Sequence, residues 1–119
     1  MRKAICRIVV ILFVAATLCA CSSDEFPTGI YTRPDDVVEY RDDGKFSLTI
    51  GVKVATEGTY SIQDDEIHYT TDSWCDEVNA GPATYKWKHE DGRLSFEVIG
   101  EDLCEGRRMM HSVNWFGPK

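Results

Sequence analysis

The sequence lacks most of the patterns that announce chemistry. There is no C-x-x-C, no H-E-x-x-H, no G-x-S-x-G, no glycine-rich phosphate loop and no D-x-D-x-D-G calcium loop. Those absences leave redox exchange, zinc hydrolysis, serine-type catalysis, nucleotide binding and EF-hand calcium binding without support. Positive charge is also scarce. The first 20 positions hold Arg2, Lys3 and Arg7 and no acid, and residues 21–119 carry 10 basic against 20 acidic side chains, a net of −10. A nucleic-acid partner is therefore excluded, because phosphate neutralisation needs a positive face, and so is adsorption to anionic head groups. Apolar runs fall short of the ~20 residues of a spanning helix. Helical periodicity is nearly absent, and there is no repeat or second domain: 119 residues suffice for one domain.

What is present begins with an address. Arg2, Lys3 and Arg7 precede an uncharged stretch from Ile8 to Ser23, whose apolar part, Ile8 to Leu18, has the length of a signal-peptide core. Leu18-Cys19-Ala20-Cys21 resembles a bacterial lipobox, whereas an ordinary cleavage site would want a small residue where Leu18 stands. The resemblance implies a signal peptide over 1–20, cleavage before Cys21, lipidation of Cys21 with palmitate-type acyl chains, and a tether over 21–28. More than one acyl chain makes such anchoring stable. The implied location is the extracytoplasmic side of a membrane, the outer membrane in a Gram-negative source, since Ser22 stands where inner-membrane retention usually shows Asp. Of five cysteines, Cys75 and Cys104 then remain, an even pair in a compartment where disulfides persist, and are expected to be bonded.

The rest of the chain reads as strands over roughly 29–33, 37–41, 45–54, 58–63, 66–71, 83–89, 93–99 and 108–116. Phe46, Leu48, Ile50, Val52 and Val54 alternate with polar residues and glycine, predicting one long strand with a buried face. Three turns test the register. Asp91-Gly92 pairs Trp87 with Phe96 and Tyr85 with Val98; Asp64-Asp65 pairs Ile62 with Ile67 and Tyr60 with Tyr69; Asp42-Asp43-Gly44 pairs Tyr40 with Phe46 and Val38 with Leu48. Each brings apolar residues together. Eight short antiparallel strands over 29–119 predict an all-β, closed up-and-down barrel, with a tight sandwich as the alternative.

Gly29-Ile30-Tyr31, Gly58-Thr59-Tyr60-Ser61-Ile62 with Asp64-Asp65-Glu66-Ile67, and Tyr85-Lys86-Trp87 followed by Leu94-Ser95-Phe96 and Asp102-x-Cys104-x-x-Arg107 resemble small bacterial lipocalin-like (calycin-type) lipoproteins. The resemblance implies that Arg107 or Arg108 packs over Tyr31 to close one barrel end. It also implies an interior that takes a small apolar ligand, with Tyr60, Tyr69, Tyr85, Trp87 and Phe96 as the candidate lining. The alternative is a protein-interaction barrel, an envelope scaffold or one similar to the lipoproteins that inhibit lysozymes. An acidic domain would attract such a basic partner, and Ala80-Gly81-Pro82-Ala83-Thr84-Tyr85 loosely echoes the inhibitors' Ser-Gly-x-x-x-Tyr loop. A filled barrel with an exposed patch around Trp74 would favour this second class. His68, His89 and His111 have no ligand spacing and read as ordinary surface residues, and the acidic pairs as turn formers. No metal, no cofactor and no enzymatic activity are expected.

Overall fold

A computed structural model describes residues 25–75 and 80–119. The expected signal peptide and the lipidation position Cys21 lie outside the described residues. The architecture is a closed antiparallel barrel in the order β1 to β8. Its strands are β1 (Gly29–Arg33), β2 (Asp36–Tyr40), β3 (Lys45–Ile50), β4 (Lys53–Gln63), β5 (Glu66–Asp72), β6 (Ala83–Glu90), β7 (Arg93–Ile99) and β8 (Trp115–Phe116), with a short helix α1 (Glu105–His111) between the last two. Thr32 pairs with Phe116 and Leu94 with Trp115, so β8 closes the sheet.

The three turns hold the expected register. Tyr40 faces Phe46, Tyr60 faces Tyr69, and Trp87 faces Phe96. Asp64, Asp91, Gly92 and Gly44 all take positive φ, at 56, 53, 75 and 86°, the backbone that two- and three-residue hairpin loops require. Neighbouring strands reverse at these turns, so the barrel has a tether end, carrying 25–28 and the turns at 42–44, 64–65 and 91–92. The opposite, helix end carries the reversals at 34–35 and 51–52, residues 73–75 and 80–82 between β5 and β6, and α1.

Two expectations about strands are corrected. The segment 45–54 is not one strand. It reverses at Gly51-Val52, with Gly51 at φ 66°, so that Ile50 pairs with Lys53 and Thr49 with Val54. The register shifts between Leu48 and Thr49 there, and Ala55 is the extra residue. The apolar alternation ran on through the turn and concealed it. Ile50, Val52 and Val54 are consequently exposed, at 45, 96 and 58%. The segment 108–116 is likewise not a strand, because its first part belongs to α1. Arg107, Met110 and His111 are the buried residues of that helix, an i, i+3, i+4 face. Seven residues are too few for helical periodicity to show above a strand pattern.

The core combines Tyr31, Val38, Tyr40, Phe46, Leu48, Ile67, Tyr69, Tyr85, Leu94 and Trp115. One glycine is required by close approach. A Cβ on Gly58 would stand 2.0 Å from the Thr71 carbonyl oxygen, so β4 and β5 cross there only because a side chain is missing.

Candidate functional site: a filled aromatic interior

Each candidate ring was placed inside by its strand, and the structure assigns the five to two groups. At the helix end, Tyr69 of β5, Tyr85 of β6 and Phe96 of β7 surround the imidazole of His111. The ring centroids lie 4.8, 4.1 and 4.4 Å from it, and Tyr85 is stacked at 18°. At the tether end, Tyr60 of β4 and Trp87 of β6 meet the ring of Phe26, at 6.1 and 5.3 Å, with Tyr40 at 5.1 Å. Tyr40 and Phe46 link the groups, Phe46 lying 5.2 Å from Tyr69. The interior is therefore occupied from both ends by inserted rings.

Sequence reasoning missed both insertions. The sequence reading places Phe26 in the tether, and its one signal is a large aromatic three residues before the first strand. His111, expected at the surface, is 3% exposed. Its signal was the four-residue spacing from Arg107, invisible once the segment was read as a strand. His68 is half-buried on the outer face, its Nδ1 2.9 Å from Thr84 Oγ1, and His89 donates from Nε2 to the Gly117 carbonyl at 2.7 Å.

The buried polar groups follow from the hydrogen bonds. His111 Nδ1 is 2.7 Å from the Arg107 carbonyl, which can only accept, so Nδ1 carries the proton. Nε2 is then the acceptor for Tyr69 O–H at 2.6 Å, and Tyr40 O–H donates to Tyr69 at 2.8 Å. One chain of donors thus runs across the barrel. Burial raises the hydroxyls of Tyr40 and Tyr69 well above the usual tyrosine range, so they remain donors. Tyr60, whose hydroxyl donates to the Arg41 carbonyl at 2.6 Å, is pushed up to about 12 by burial and by Asp42 and Asp43.

A second network closes the helix end. Arg107 donates from Nε to Asp102 Oδ2 and from Nη2 to Oδ1, both at 2.8 Å, and also to the Gly81 carbonyl at 2.8 Å. Tyr85 O–H reaches Asp102 Oδ2 at 2.5 Å, and the Cys104 amide reaches Oδ1 at 3.0 Å. Burial alone would raise the Asp102 carboxyl, but the bonds from Arg107, Tyr85 and the Cys104 amide outweigh it and hold the group below the usual carboxylate range. Arg107 is thus committed to Asp102, and Arg108 donates to the Asp102 carbonyl. The expected arginine over Tyr31 is corrected: Arg33 of the first strand lies instead over Trp115 of the last, 5.6 Å from its centroid. The echo of an inhibitor loop is corrected too, because Tyr85 is an interior strand residue and cannot project.

Burial pulls the His111 imidazole down to about 4. A histidine near 6.5 when unfolded and near 4 when folded binds its proton first in the unfolded chain as the pH falls. The folded state should keep its full stability above about pH 6.5 and lose about 3 kcal/mol between there and pH 4. Urea unfolding of wild type and His111→Gln at pH 7.5, 6.0 and 4.5 checks this. An unchanged pH slope in the variant would discard the assignment.

The disulfide Cys75–Cys104 forms, with the two Cα atoms 5.4 Å apart. Beside it lies an open groove of about 440 Å³ lined by Trp74, Leu103, Glu105 and Gly106. Trp74 is 39% exposed yet fixed: its amide donates to Thr56 Oγ1 at 3.1 Å and Asp72 Oδ1 at 3.0 Å. Its ring covers Gly106 so closely that a Cβ there would approach to 2.5 Å. Among the described residues no three His, Cys, Asp or Glu side chains come together as a metal site.

An eight-stranded, antiparallel, closed barrel of this kind is consistent with a lipocalin-like fold. The chain matches no family model, no curated protein and no solved structure at a significant level.

Proposed function

We propose that the chain is a lipid-anchored, extracytoplasmic interaction barrel that docks a basic protein on its surface and holds no ligand in its interior. The observation that carries this reading is His111, whose ring stands at the helix end among Tyr69, Tyr85 and Phe96, in the space a lipocalin-type ligand would need. A ligand entering there would have to break the His111–Tyr69 hydrogen bond and unstack Tyr85. The surface offers a pre-organised tryptophan at Trp74 beside exposed Leu103, and aromatic anchors of this kind dominate binding energies. The net of −10 over 21–119 favours encounter with a basic partner.

The test is a titration of the purified protein with lysozyme, as a basic probe, at low and high salt, alongside native mass spectrometry. Saturable binding that weakens at least tenfold with salt, abolished by Trp74→Ala, supports the reading. A co-purifying small apolar molecule together with no response to the basic probe overturns it. Anchoring is tested separately: Cys21→Ala in a bacterial host should leave an uncleaved precursor without acyl label, and normal acylation of that variant would refute it.

A further inference from the structure

The barrel closes on a short seam. β8 pairs with β7 only at Arg93 and Leu94, so residues 95–99 have no strand on that side. Burial of the inward-phase residues falls away accordingly: Leu94 is 0% exposed, Phe96 is partly buried and Val98 is 42% exposed. Glu90 and Arg93 flank the two-residue loop and form a hydrogen-bonded pair. Bonded pairs then alternate along the hairpin, at Lys88 with Ser95, Lys86 with Glu97 and Thr84 with Ile99. Phe96 and Val98 therefore direct their amides and carbonyls away from β6. Trp87, opposite Phe96, likewise donates its amide away from β7, to the Asp65 carbonyl at 2.9 Å. Helix α1 sets the His111 ring against Phe96, but among the described residues no backbone hydrogen bond reaches Phe96 or Val98 from the open side. An unpaired edge of this kind is a template for one more strand.

We propose that the open edge of β7 at residues 95–99 takes an extended peptide segment as an added strand, one in which cationic and apolar residues alternate. Main-chain bonds to Phe96 and Val98 supply affinity, and the alternation of side chains supplies selectivity. Incoming residues opposite Phe96 and Val98 share their apolar face, and the residue opposite Glu97 lies on the outer face. Glu97 is exposed, and Lys86 across from it on β6 makes no ion pair with it. Glu101 and Glu105, both exposed, follow in the chain, so the outer position favours a cation. The same Glu97 opposes a second copy as occupant: β7 laid antiparallel on itself over 95–99 sets Glu97 against Glu97, a destabilising like-charge pair. The inference rests on the basic partner proposed above and gives it a second place to bind. β6 lies between this edge and the strand that leads to Trp74, so either surface can fail without the other.

The experiment titrates the purified full chain into a capped, fluorescein-labelled peptide of alternating lysine and valine, read by fluorescence anisotropy. Binding should saturate and should slow amide exchange at Phe96 and Val98. Val98→Pro removes one edge donor and no bond to β6, and should weaken binding about tenfold, the worth of one backbone hydrogen bond. Glu97→Lys should lose the lysine peptide and gain a peptide of alternating glutamate and valine, so the test survives if Val98→Pro does not fold. Trp74→Ala should bind the lysine peptide as wild type does. No saturable binding by wild type overturns the proposal, even where lysozyme binds through Trp74. So does an unchanged preference in Glu97→Lys, or loss of the peptide in Trp74→Ala.

Discussion

Asp102→Asn should destabilise the folded protein by about 3–5 kcal/mol, the range for removing one partner of a buried ion pair. The side chains of Asp102 and Arg107 are 0 and 1% exposed. The substitution takes the bonded carboxylate from the buried Arg107 guanidinium and leaves Asp72 as its acidic neighbour, and that poorly compensated charge makes the loss large. The effect should spread, because Arg107 also holds the Gly81 carbonyl ahead of β6 and Tyr85 donates to the same carboxylate. Denaturant unfolding at pH 7 measures it. The double change Asp102→Asn with Arg107→Met should recover a good part of the loss, since it removes the stranded charge. A single variant within about 1 kcal/mol of wild type would show that the pair is solvated and does not seal the helix end.

Cys75→Ser with Cys104→Ser should cost about 3–4 kcal/mol in the chain-entropy account, in which a cross-link acts mainly by restricting the unfolded chain. The two cysteines are 29 residues apart in sequence, and β6 and β7 lie between them. Their hairpin brings its open ends together, so the bond closes a loop that folding already closes. Oxidised and reduced wild type and the double variant, compared by urea unfolding, should give the variant and the reduced protein the same lowered midpoint. Equal midpoints for all three would mean that the unfolded chain is not restrained. Cys104 donates its amide to Asp102, so this loss and that of Asp102→Asn should not add, and the double-mutant cycle reports their coupling.

Much of the barrel was legible because strand pairing is local where turns are short. Asp42-Asp43-Gly44, Asp64-Asp65 and Asp91-Gly92 each set a register, and a slip of one residue would have turned Tyr40, Tyr60 or Trp87 to solvent. The sequence therefore determined three hairpins, the inward face of the aromatic residues and the even pair of cysteines. It did not determine where 45–54 reverses. Period-two alternation persists through a two-residue turn when the turn residue is itself apolar, as Val52 is, and only the pairing of Ile50 with Lys53 breaks the run.

What filled the barrel was decided by tertiary structure alone. Phe26 and His111 carry only faint local signals, one lying in a strap before the first strand and the other on a helix of seven residues. Their insertion depends on rings contributed by β2, β4, β5, β6 and β7, residues 14 to 61 positions away in sequence. His111 becomes a neutral acceptor at Nε2 only where the Arg107 carbonyl accepts from its Nδ1–H and the Tyr69 hydroxyl donates to it. Alternation places a side chain inside a sheet; it cannot say whether the space beyond is empty, because that depends on which other side chains converge there and how closely they pack.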